Sequence, residues 1–350
     1  MTQVSASDAP RTPLTDGPVL DVQDLTTHFF TRDGVVHAVD GVSFSVRRGE
    51  VLGLVGESGC GKSVTSLSIM GLIPLPGRIV SGRVLFEGTD LASLSASQLR
   101  ALRGDRISMI FQQPTSSLNP VYRVGAQISE VFELHRDIEQ KVGVEKATEM
   151  LAKVGIPDPG RRARSYPHEM SGGMAQRVMI AMALALEPQL LIADEPTTAL
   201  DVTIQAQILD LMRDLQRDFQ TAVLLITHDL GVVAEMADRV AVMYAGQIVE
   251  EADVRTIFRD ARHPYTQGLI GSIPVLGVVK NELDTIPGVV PSLIDPAHGC
   301  RFADRCRARI EHGLTKCTEE DPQLLQIGER HTVRCFLYED DRRPEERLRS

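Results

Sequence analysis

The chain has 350 residues, of which 43% are apolar and 24% charged, so it is long enough for two domains with a large core. The net charge of −10 disfavours a nucleic-acid-binding protein, which needs a basic face, and disfavours attachment to anionic lipid. The longest apolar run, Val178 to Leu186, is far shorter than the roughly 20 residues that a membrane-spanning helix needs, so we expect no transmembrane segment.

Residues 1–18 are rich in Ser, Thr, Asp and Pro and contain no hydrophobic segment. They are predicted to form a disordered tail rather than a signal peptide or anchor, and residues 341–350 to form a second tail. The expected compartment is therefore the cytosol, where disulfides are disfavoured.

The next segments predict strands. Apolar and polar residues alternate from Val19 to about Glu50 around an Asp33-Gly34 turn signal, which predicts short antiparallel strands at a sheet edge. The runs 51–55, 189–193 and 222–226 predict buried strands, with a helical pattern between the last two. This order is typical of a parallel α/β sheet, and residues 240–250 predict a closing hairpin.

Two regions depart from this alternation. Helical patterns dominate between Pro114 and Met170, which predicts a helical insertion at about 114–175. After Pro264 the chain is rich in Pro and Gly and then in Arg and Cys. We therefore predict an α/β domain over 19–270 with an antiparallel β subdomain and a helical insertion, followed by a small Cys-rich domain over 271–340.

A phosphate-binding loop follows the strand at 51–55. It matches G-x-x-x-x-G-K-[ST] with the residues Gly56, Glu57, Ser58, Gly59, Cys60, Gly61, Lys62 and Ser63. The glycines let successive N–H groups face a phosphate chain, Lys62 reaches the outer phosphates, and Ser63 supplies a hydroxyl to Mg²⁺. Cys60 occupies a variable position and is interpreted as a small passive residue.

Two carboxylates end the predicted strand at 189–193. Asp194 is expected to bind Mg²⁺ through its water shell, and Glu195 is placed to polarise the attacking water. Together with the loop they predict a P-loop nucleoside triphosphatase.

Further motifs follow in a fixed order, and with them the chain resembles the ATP-binding cassette (ABC) family. They are Phe29, Gln112 in Phe-Gln-Gln-Pro, the Ser171–Gly173 signature before a helix, Asp201 in Ala-Leu-Asp, and His228 in Thr-His-Asp. The resemblance implies that Phe29 stacks on adenine and that Gln112 couples Mg²⁺ to the helical insertion. It implies that Asp201 belongs to the D-loop and that His228 holds the γ-phosphate.

The same resemblance implies a dimer of two cassettes packed head to tail. Ser171, Gly172 and Gly173 would present N–H groups and a helix dipole to the γ-phosphate of the ATP on the partner. Met174 stands where most of the family has Gln, so any contact of that Gln side chain is in question, whereas the backbone anion site is unaffected.

Local features resemble the oligopeptide and dipeptide importer branch over about residues 19 to 338. They are the segment Gln113–Pro120, the signature with Met174, the run His263-Pro264-Tyr265-Thr266, and the four-cysteine tail. His263 itself is interpreted as a packing and turn element rather than a metal ligand or acid–base group.

This branch implies an ATP-hydrolysing subunit that is peripheral on the cytoplasmic face of the inner membrane. Its implied partners are two membrane permeases, a second cassette that is identical or related, and an extracytoplasmic peptide-binding protein, with no nucleic acid. Importers of nickel or glutathione share this cassette style and remain alternatives. A soluble cassette ATPase that acts on nucleic acid or ribosomes is the alternative from another class.

The four C-terminal cysteines are spaced Cys300-x5-Cys306-x10-Cys317-x17-Cys335. Zinc sites usually use closer pairs, whereas four cysteines are a complete ligand set for an iron–sulfur cluster. Nearby arginines could offset the charge of such a cluster; they are Arg301, Arg305, Arg307 and Arg309. The importer resemblance implies a [4Fe–4S] cluster, with zinc or unliganded thiols as open alternatives.

Overall fold

A computed structural model describes residues 17–113, 117–197, 201–273 and 286–339, which form two sheets flanked by helices. The strands are β1 Leu20–Thr31, β2 Gly34–Val46, β3 Val51–Val55, β4 Gly77–Phe86, β5 Thr89–Asp90, β6 Ile107–Ile110, β7 Leu190–Asp194, β8 Ala222–Thr227, β9 Arg239–Tyr244, β10 Gln247–Asp253, β11 Leu325–Gly328 and β12 His331–Val333. The α-helices are α1 Lys62–Ile69, α2 Ala96–Leu102, α3 Val124–Arg136, α4 Gln140–Lys153, α5 Pro159–Arg162, α6 Gly172–Leu184, α7 Val202–Phe219, α8 Leu230–Met236, α9 Val254–Asp260, α10 Pro264–Gly271 and α11 Arg307–Glu311.

The four-stranded antiparallel sheet has the order β2-β1-β4-β5. Its β1–β2 hairpin closes with Thr31 opposite Gly34, as the Asp33-Gly34 turn signal predicts. The strands are antiparallel as predicted and β2 lies at an edge of this sheet, but the expectation that they are short is wrong, because β1 and β2 are 12 and 13 residues long. Strand β4 pairs with the other side of β1, so β1 lies inside its own sheet.

The eight-stranded sheet has the order β11-β12-β10-β9-β3-β8-β7-β6. Strands β6, β7, β8, β3 and β9 are parallel, and β10 turns back antiparallel to β9. The predicted parallel core and closing hairpin are therefore confirmed. Val55 lies opposite Thr227 and Asp194 opposite Ile226, so the carboxyl ends of β3, β7 and β8 meet at one edge. That edge is where open α/β sheets bind ligands.

The helical insertion lies between β6 and β7 and packs through its own apolar side chains. Ile128 and Phe132 of α3, Leu151 of α4 and Val178 of α6 are buried in one core cluster. Their spacing along α3 and α4 follows the helical period, as the sequence pattern predicts, while the bounds of the insertion stay a prediction.

The C-terminal part of the chain is joined to the main sheet by backbone hydrogen bonds. Strand β12 pairs antiparallel with β10, with Val333 opposite Glu250, and β11 pairs with β12. Its separation as a domain from about residue 271 stays a prediction, since residues 274–285 lie outside the described part. In the ranges that the structure describes, every helix is too short or too polar to cross a bilayer.

Candidate nucleotide-binding and hydrolysis site

The phosphate-binding loop joins β3 to the N-terminus of α1. Gly61, the N-cap of α1, has φ +110°, and a Cβ there would lie 2.3 Å from the carbonyl oxygen of Ala38, so only glycine fits. The Lys62 side chain is buried, and its Nζ donates to the carbonyl oxygens of Gly56 (2.8 Å) and Glu57 (3.0 Å). These two hydrogen bonds therefore hold the loop backbone around the Lys62 side chain.

Two of the three residues predicted for the magnesium site, Ser63 and Asp194, are in contact, whereas the third, Gln112, donates to Glu195. Ser63 Oγ donates to Asp194 Oδ1 at 3.2 Å, across 131 positions of the chain. Burial raises the pKa of Asp194, and the charge of Glu195 raises it further. A divalent cation at this point would stabilise the ionised carboxylate, because cations reverse the cost of burying negative charge. The contact therefore fits the predicted Mg²⁺ position.

Glu195 lies between two other predicted site residues. Its Oε2 accepts a hydrogen bond from Gln112 Nε2 at 2.8 Å, and its Oε1 is 3.1 Å from His228 Nδ1. The backbone of Glu195 has φ +48°, a left-handed conformation that is costly for a non-glycine residue. Its N–H donates to the carbonyl of Ile226 at 2.8 Å, which holds that conformation. Strained residues of this kind cluster at functional sites.

Gln112, Glu195 and His228 line one cavity of about 350 Å³. Its lining consists of Gly56, Glu57, Ser58, Gln112, Glu195, His228, Leu230 and Leu269. A larger cavity of about 650 Å³ lies between α9 and β11–β12 and contains none of the predicted site residues. Cavity size therefore does not locate the site, whereas the convergence of the polar side chains does.

The signature and D-loop residues lie apart from this cavity. Ser171 is the N-cap of α6 and accepts from the Met174 N–H at 3.3 Å, and Asp201 is the N-cap of α7 and accepts from the Ile204 N–H at 2.9 Å. Phe29, at the end of β1, is half-buried against Gly77. Ala199, Leu200 and residues 114–116 lie outside the described residues.

The interpretation of His263 as a turn and packing element is confirmed. It is 1% exposed, and its Nδ1 accepts from the Tyr265 N–H at 3.1 Å as the N-cap of α10. Cys60 is also buried, and burial raises the pKa of its thiol. A raised pKa fits the interpretation of Cys60 as a passive residue.

Sequence reasoning missed two residues that touch the phosphate-binding loop from the C-terminal side. The Glu57 N–H donates to Tyr265 Oη at 2.9 Å, and the Glu57 carboxylate forms an ion pair with Arg305 at 2.6 Å. The His-Pro-Tyr run and the arginine before Cys306 are visible in the sequence. Nothing in their spacing, however, relates them to a loop more than 200 positions away.

The four C-terminal cysteines are free thiols of the C-terminal segment. Cys317 and Cys335 are buried and Cys300 and Cys306 half-buried, and Leu314 packs against the two small apolar clusters that contain Cys317 and Cys335. Burial raises the pKa of all four thiols, to about 12 for Cys300. The charges of neighbouring cysteines raise the pKa of Cys300, Cys317 and Cys335 further.

The arrangement of these thiols bears on the choice of metal. Ligands of one zinc ion at about 2.3 Å lie within about 4.6 Å of one another. Among the described residues, the one group of three ligand atoms within 4.8 Å of one another is His28, His37 and Asp40, which contains no cysteine. Arg301 already pairs with the Asp40 carboxylate. In this structure, therefore, no three of the four thiol sulfurs lie within 4.8 Å of one another.

The fold and the site define a P-loop nucleoside triphosphatase with a helical insertion. The family model described as ABC transporter matches residues 39–198, and the model of the oligopeptide/dipeptide transporter C-terminal region matches residues 249–312. The chain belongs to the ATP-binding cassette transporter family, which confirms the predicted ATPase class.

Relatives with about 50% sequence identity match nearly the whole chain. The oligopeptide transport ATP-binding protein AppD of Bacillus subtilis is 51% identical over 324 residues, which cover 92% of this chain and 98% of that protein. The dipeptide transport ATP-binding protein DppD of Escherichia coli is 48% identical over 323 residues, with the same two coverages, 92% and 98%.

Solved structures share the fold of the cassette. The dimeric structure of MJ0796, a bacterial ABC transporter cassette, matches with a TM-score of 0.61 and 26% identity. It covers 67% of this chain and 99% of that chain. CbiO1 from Clostridium perfringens, part of the transporter complex cbiONQ, matches with a TM-score of 0.58 and 27% identity over 69% of this chain and 91% of that chain.

Proposed function

We propose that this chain is the ATP-hydrolysing subunit of an importer for oligopeptides or dipeptides, peripheral on the cytoplasmic face of the inner membrane. The ATPase part is supported most directly by Glu195, which lies between Gln112 and His228 at the edge that holds the Ser63–Asp194 pair. Peptides as cargo are supported by the match of residues 249–312 and by the peptide-transport names of the relatives.

The phosphate-binding loop and the strand-end residues divide the chemistry between them. The N–H groups of residues 56–63 and the N-terminus of α1 bind the phosphates, and Lys62 contacts the outer ones. Ser63 and Asp194, with Gln112, would hold Mg²⁺, which would neutralise phosphate charge when bound. Glu195 accepts the proton of the attacking water as general base, and His228 orients the γ-phosphate.

The signature motif is proposed to act on the ATP of a second cassette. Ser171 and Gly172 are exposed at the N-terminus of the 13-residue helix α6, away from the cavity that Glu195 lines. Their N–H groups and the helix dipole suit an anion presented by another subunit. The solved cassette MJ0796 is dimeric, which supports a head-to-tail pair with an identical or related cassette.

The helical insertion is proposed to contact the permeases. Large apolar side chains are exposed there: Val121 is 72%, Tyr122 58% and Leu134 73% exposed. Exposed apolar side chains of this size favour a protein partner over water. Two permeases and an extracytoplasmic peptide-binding protein complete the proposed importer.

The four cysteines are proposed to hold a [4Fe–4S] cluster. Such a cluster takes four thiolates, and the C-terminal segment supplies four free cysteines that are buried or half-buried. Bound there, it would cross-link the C-terminal segment. Cys300, Cys306, Cys317 and Cys335 would each give up a proton to ligate it.

Anaerobic purification tests the cluster. Absorption in the visible range with about four irons per chain is the expected result, and Cys335→Ser should lose both the colour and the iron. The matched control is Cys60→Ser, which leaves the C-terminal thiols intact and should keep the iron. Colourless protein with stoichiometric zinc would contradict the assignment.

Affinity purification from detergent-solubilised membranes tests the transport role. Co-isolation of two multispan proteins and stimulation of ATP hydrolysis by a peptide-loaded binding protein are the expected results. Stimulation by nickel or glutathione carriers instead would reassign the cargo while leaving the ATPase intact. Co-isolation with ribosomes or nucleic acid and no membrane protein would contradict the importer.

A further inference from the structure

Glu57 is the second residue of the phosphate-binding loop, and each of its polar groups has a partner. Its N–H donates to Tyr265 Oη at 2.9 Å, and its carbonyl accepts from Lys62 Nζ at 3.0 Å. Its carboxylate accepts two hydrogen bonds from Arg305, Nη1 to Oε2 at 2.6 Å and Nη2 to Oε1 at 3.0 Å. Such a fork is the strongest geometry that an arginine and a carboxylate can form.

Arg305 comes from the cysteine-containing C-terminal segment. It ends the 3₁₀ turn Ala303–Arg305 and directly precedes Cys306. Its side chain is 6% exposed, and two more of its five donors are used, Nε on the Pro287 carbonyl at 2.8 Å and Nη1 on Tyr244 Oη at 3.3 Å. These hydrogen bonds hold the guanidinium of Arg305 in one orientation.

An aromatic group holds this arrangement in place. The rings of Tyr244, Tyr265 and Phe302 are in mutual contact, with centroids 4.5 to 5.5 Å apart, and Arg305 lies over the rings of Tyr244 and Phe302. Tyr244 belongs to β9, Tyr265 to α10 and Phe302 to the C-terminal segment. The group therefore fixes the C-terminal segment relative to the sheet and the loop.

The Glu57 carboxylate carries a negative charge in the phosphate-binding loop, and Arg305 neutralises that charge. Glu57 belongs to the lining of the same cavity as Gly56, Ser58 and Glu195, so its charge lies close to the site proposed for the phosphates. An unpaired carboxylate there would repel a polyphosphate through a low-dielectric medium. A buried guanidinium removes that repulsion and keeps the loop backbone in place.

We propose that Arg305 is a positioning residue of the nucleotide site, through which the cysteine-containing segment neutralises Glu57 and holds the phosphate-binding loop. The proposal rests on the nucleotide site proposed above. It makes the C-terminal segment a structural part of that site, separate from any role in choosing cargo.

Equilibrium binding of ATP to the full-length chain, measured by calorimetry in the absence of Mg²⁺, tests the proposal. Arg305→Ala should raise the Kd for ATP at least about tenfold, because it leaves the Glu57 charge unpaired beside the phosphates. Adding Glu57→Gln to Arg305→Ala removes that charge and should recover most of the lost affinity. Arg305→Lys, which keeps the charge without the fork, should fall between wild type and Arg305→Ala.

The controls separate this role from a general loss of structure. Lys316→Ala breaks a half-exposed ion pair with Glu339 inside the same segment and should leave the Kd unchanged. Failure of the Glu57→Gln rescue, or an Arg305→Ala variant with the wild-type Kd, would overturn the proposal. If Arg305→Ala does not fold, Arg305→Lys with and without Glu57→Gln gives the same comparison. Absence of ATP binding in the wild-type chain would instead refute the nucleotide site.

Discussion

The side-chain amide of Gln112 donates a hydrogen bond to the carboxylate of Glu195, with Nε2 and Oε2 2.8 Å apart. Gln112 follows β6 at the start of the helical insertion, and Glu195 follows β7, which pairs in parallel with β6. The bond therefore joins the insertion to the carboxylate proposed as general base. If the insertion contacts a permease as proposed, its movement would change the surroundings of that base and would thereby couple membrane contact to hydrolysis.

The first prediction concerns that carboxylate. Glu195→Gln keeps the size of the side chain and its contact with Gln112 but removes the base, so ATP hydrolysis should fall by about 10²-fold or more. ATP should still bind with an affinity close to wild type. Phosphate release and equilibrium binding measure the two effects, and Glu319→Gln, on the exposed C-terminal segment, is the control. Near-wild-type turnover in Glu195→Gln would remove Glu195 from the mechanism.

The second prediction concerns the backbone of the phosphate-binding loop. Gly61→Ala would place a Cβ 2.3 Å from the Ala38 carbonyl at φ +110°, so the loop must distort. Strain of about 1–3 kcal/mol in the loop conformation that binds phosphate should weaken ATP binding about tenfold or more. Gly160→Ala, where no atom lies within 4 Å of the new Cβ, should bind ATP normally. Equal effects of the two substitutions would contradict this explanation.

The third prediction concerns stability far from the cavity. Arg239 is buried between Glu50, at 2.6 Å, and Glu251, so Arg239→Met leaves two buried carboxylates without their cation. The free energy of unfolding should fall by about 3–5 kcal/mol, measured by chemical denaturation. The more exposed pair of Arg213 with Glu235 is the control, and Arg213→Met should cost no more than about 1 kcal/mol. A similar small loss for both would show that the buried pair is not stabilising.

The fourth prediction concerns pH. Burial lowers the pKa of His263 from 6.5 to about 4, so the unfolded chain binds a proton between these values that the folded chain does not. Stability is therefore complete above about pH 6.5 and is lost as the pH falls toward 4, by up to about 3 kcal/mol. The carboxylate of Glu250, which accepts from the His263 N–H at 2.9 Å, has a lowered pKa and loses its own contribution at still lower pH.

His263→Asn provides the comparison for this pH effect. Asn can still cap α10 but does not titrate, so the loss of stability between pH 6.5 and 4 should become smaller, whatever its stability at neutral pH. Melting temperatures measured across this range give the slopes. Parallel slopes for the variant and the wild-type chain would show that another group causes the acid sensitivity.

Much of the fold could be predicted from sequence because local patterns determine it. The apolar run at Val51–Val55 is short and is followed by a glycine, which favours a buried strand, and α3 and α4 repeat apolar residues at the helical period. The antiparallel subdomain could be predicted, but the pairing of β4 with β1 inside it could not. Alternation shows that a strand has one buried face but does not show which strand lies beside it.

The same distinction applies to the site. Ser63, Asp194 and Glu195 belong to motifs whose spacing carries their chemistry, so their convergence was predictable. The contact of Arg305 with Glu57 was not, because an ion pair between distant segments leaves no local pattern. The turn role of His263 followed from its place before a proline, but the reach of Tyr265 to the loop depends on how α10 packs.

The most direct test of the central claim, that ATP hydrolysis at Glu195 drives peptide import, is uptake of a radiolabelled peptide by proteoliposomes. These contain the purified permeases, the binding protein and this chain as the cassette, with ATP on the cassette side. We expect ATP-dependent accumulation of peptide with the wild-type chain and background levels with Glu195→Gln. Undiminished accumulation with Glu195→Gln, or none with the wild-type chain in an assembled complex, would contradict it.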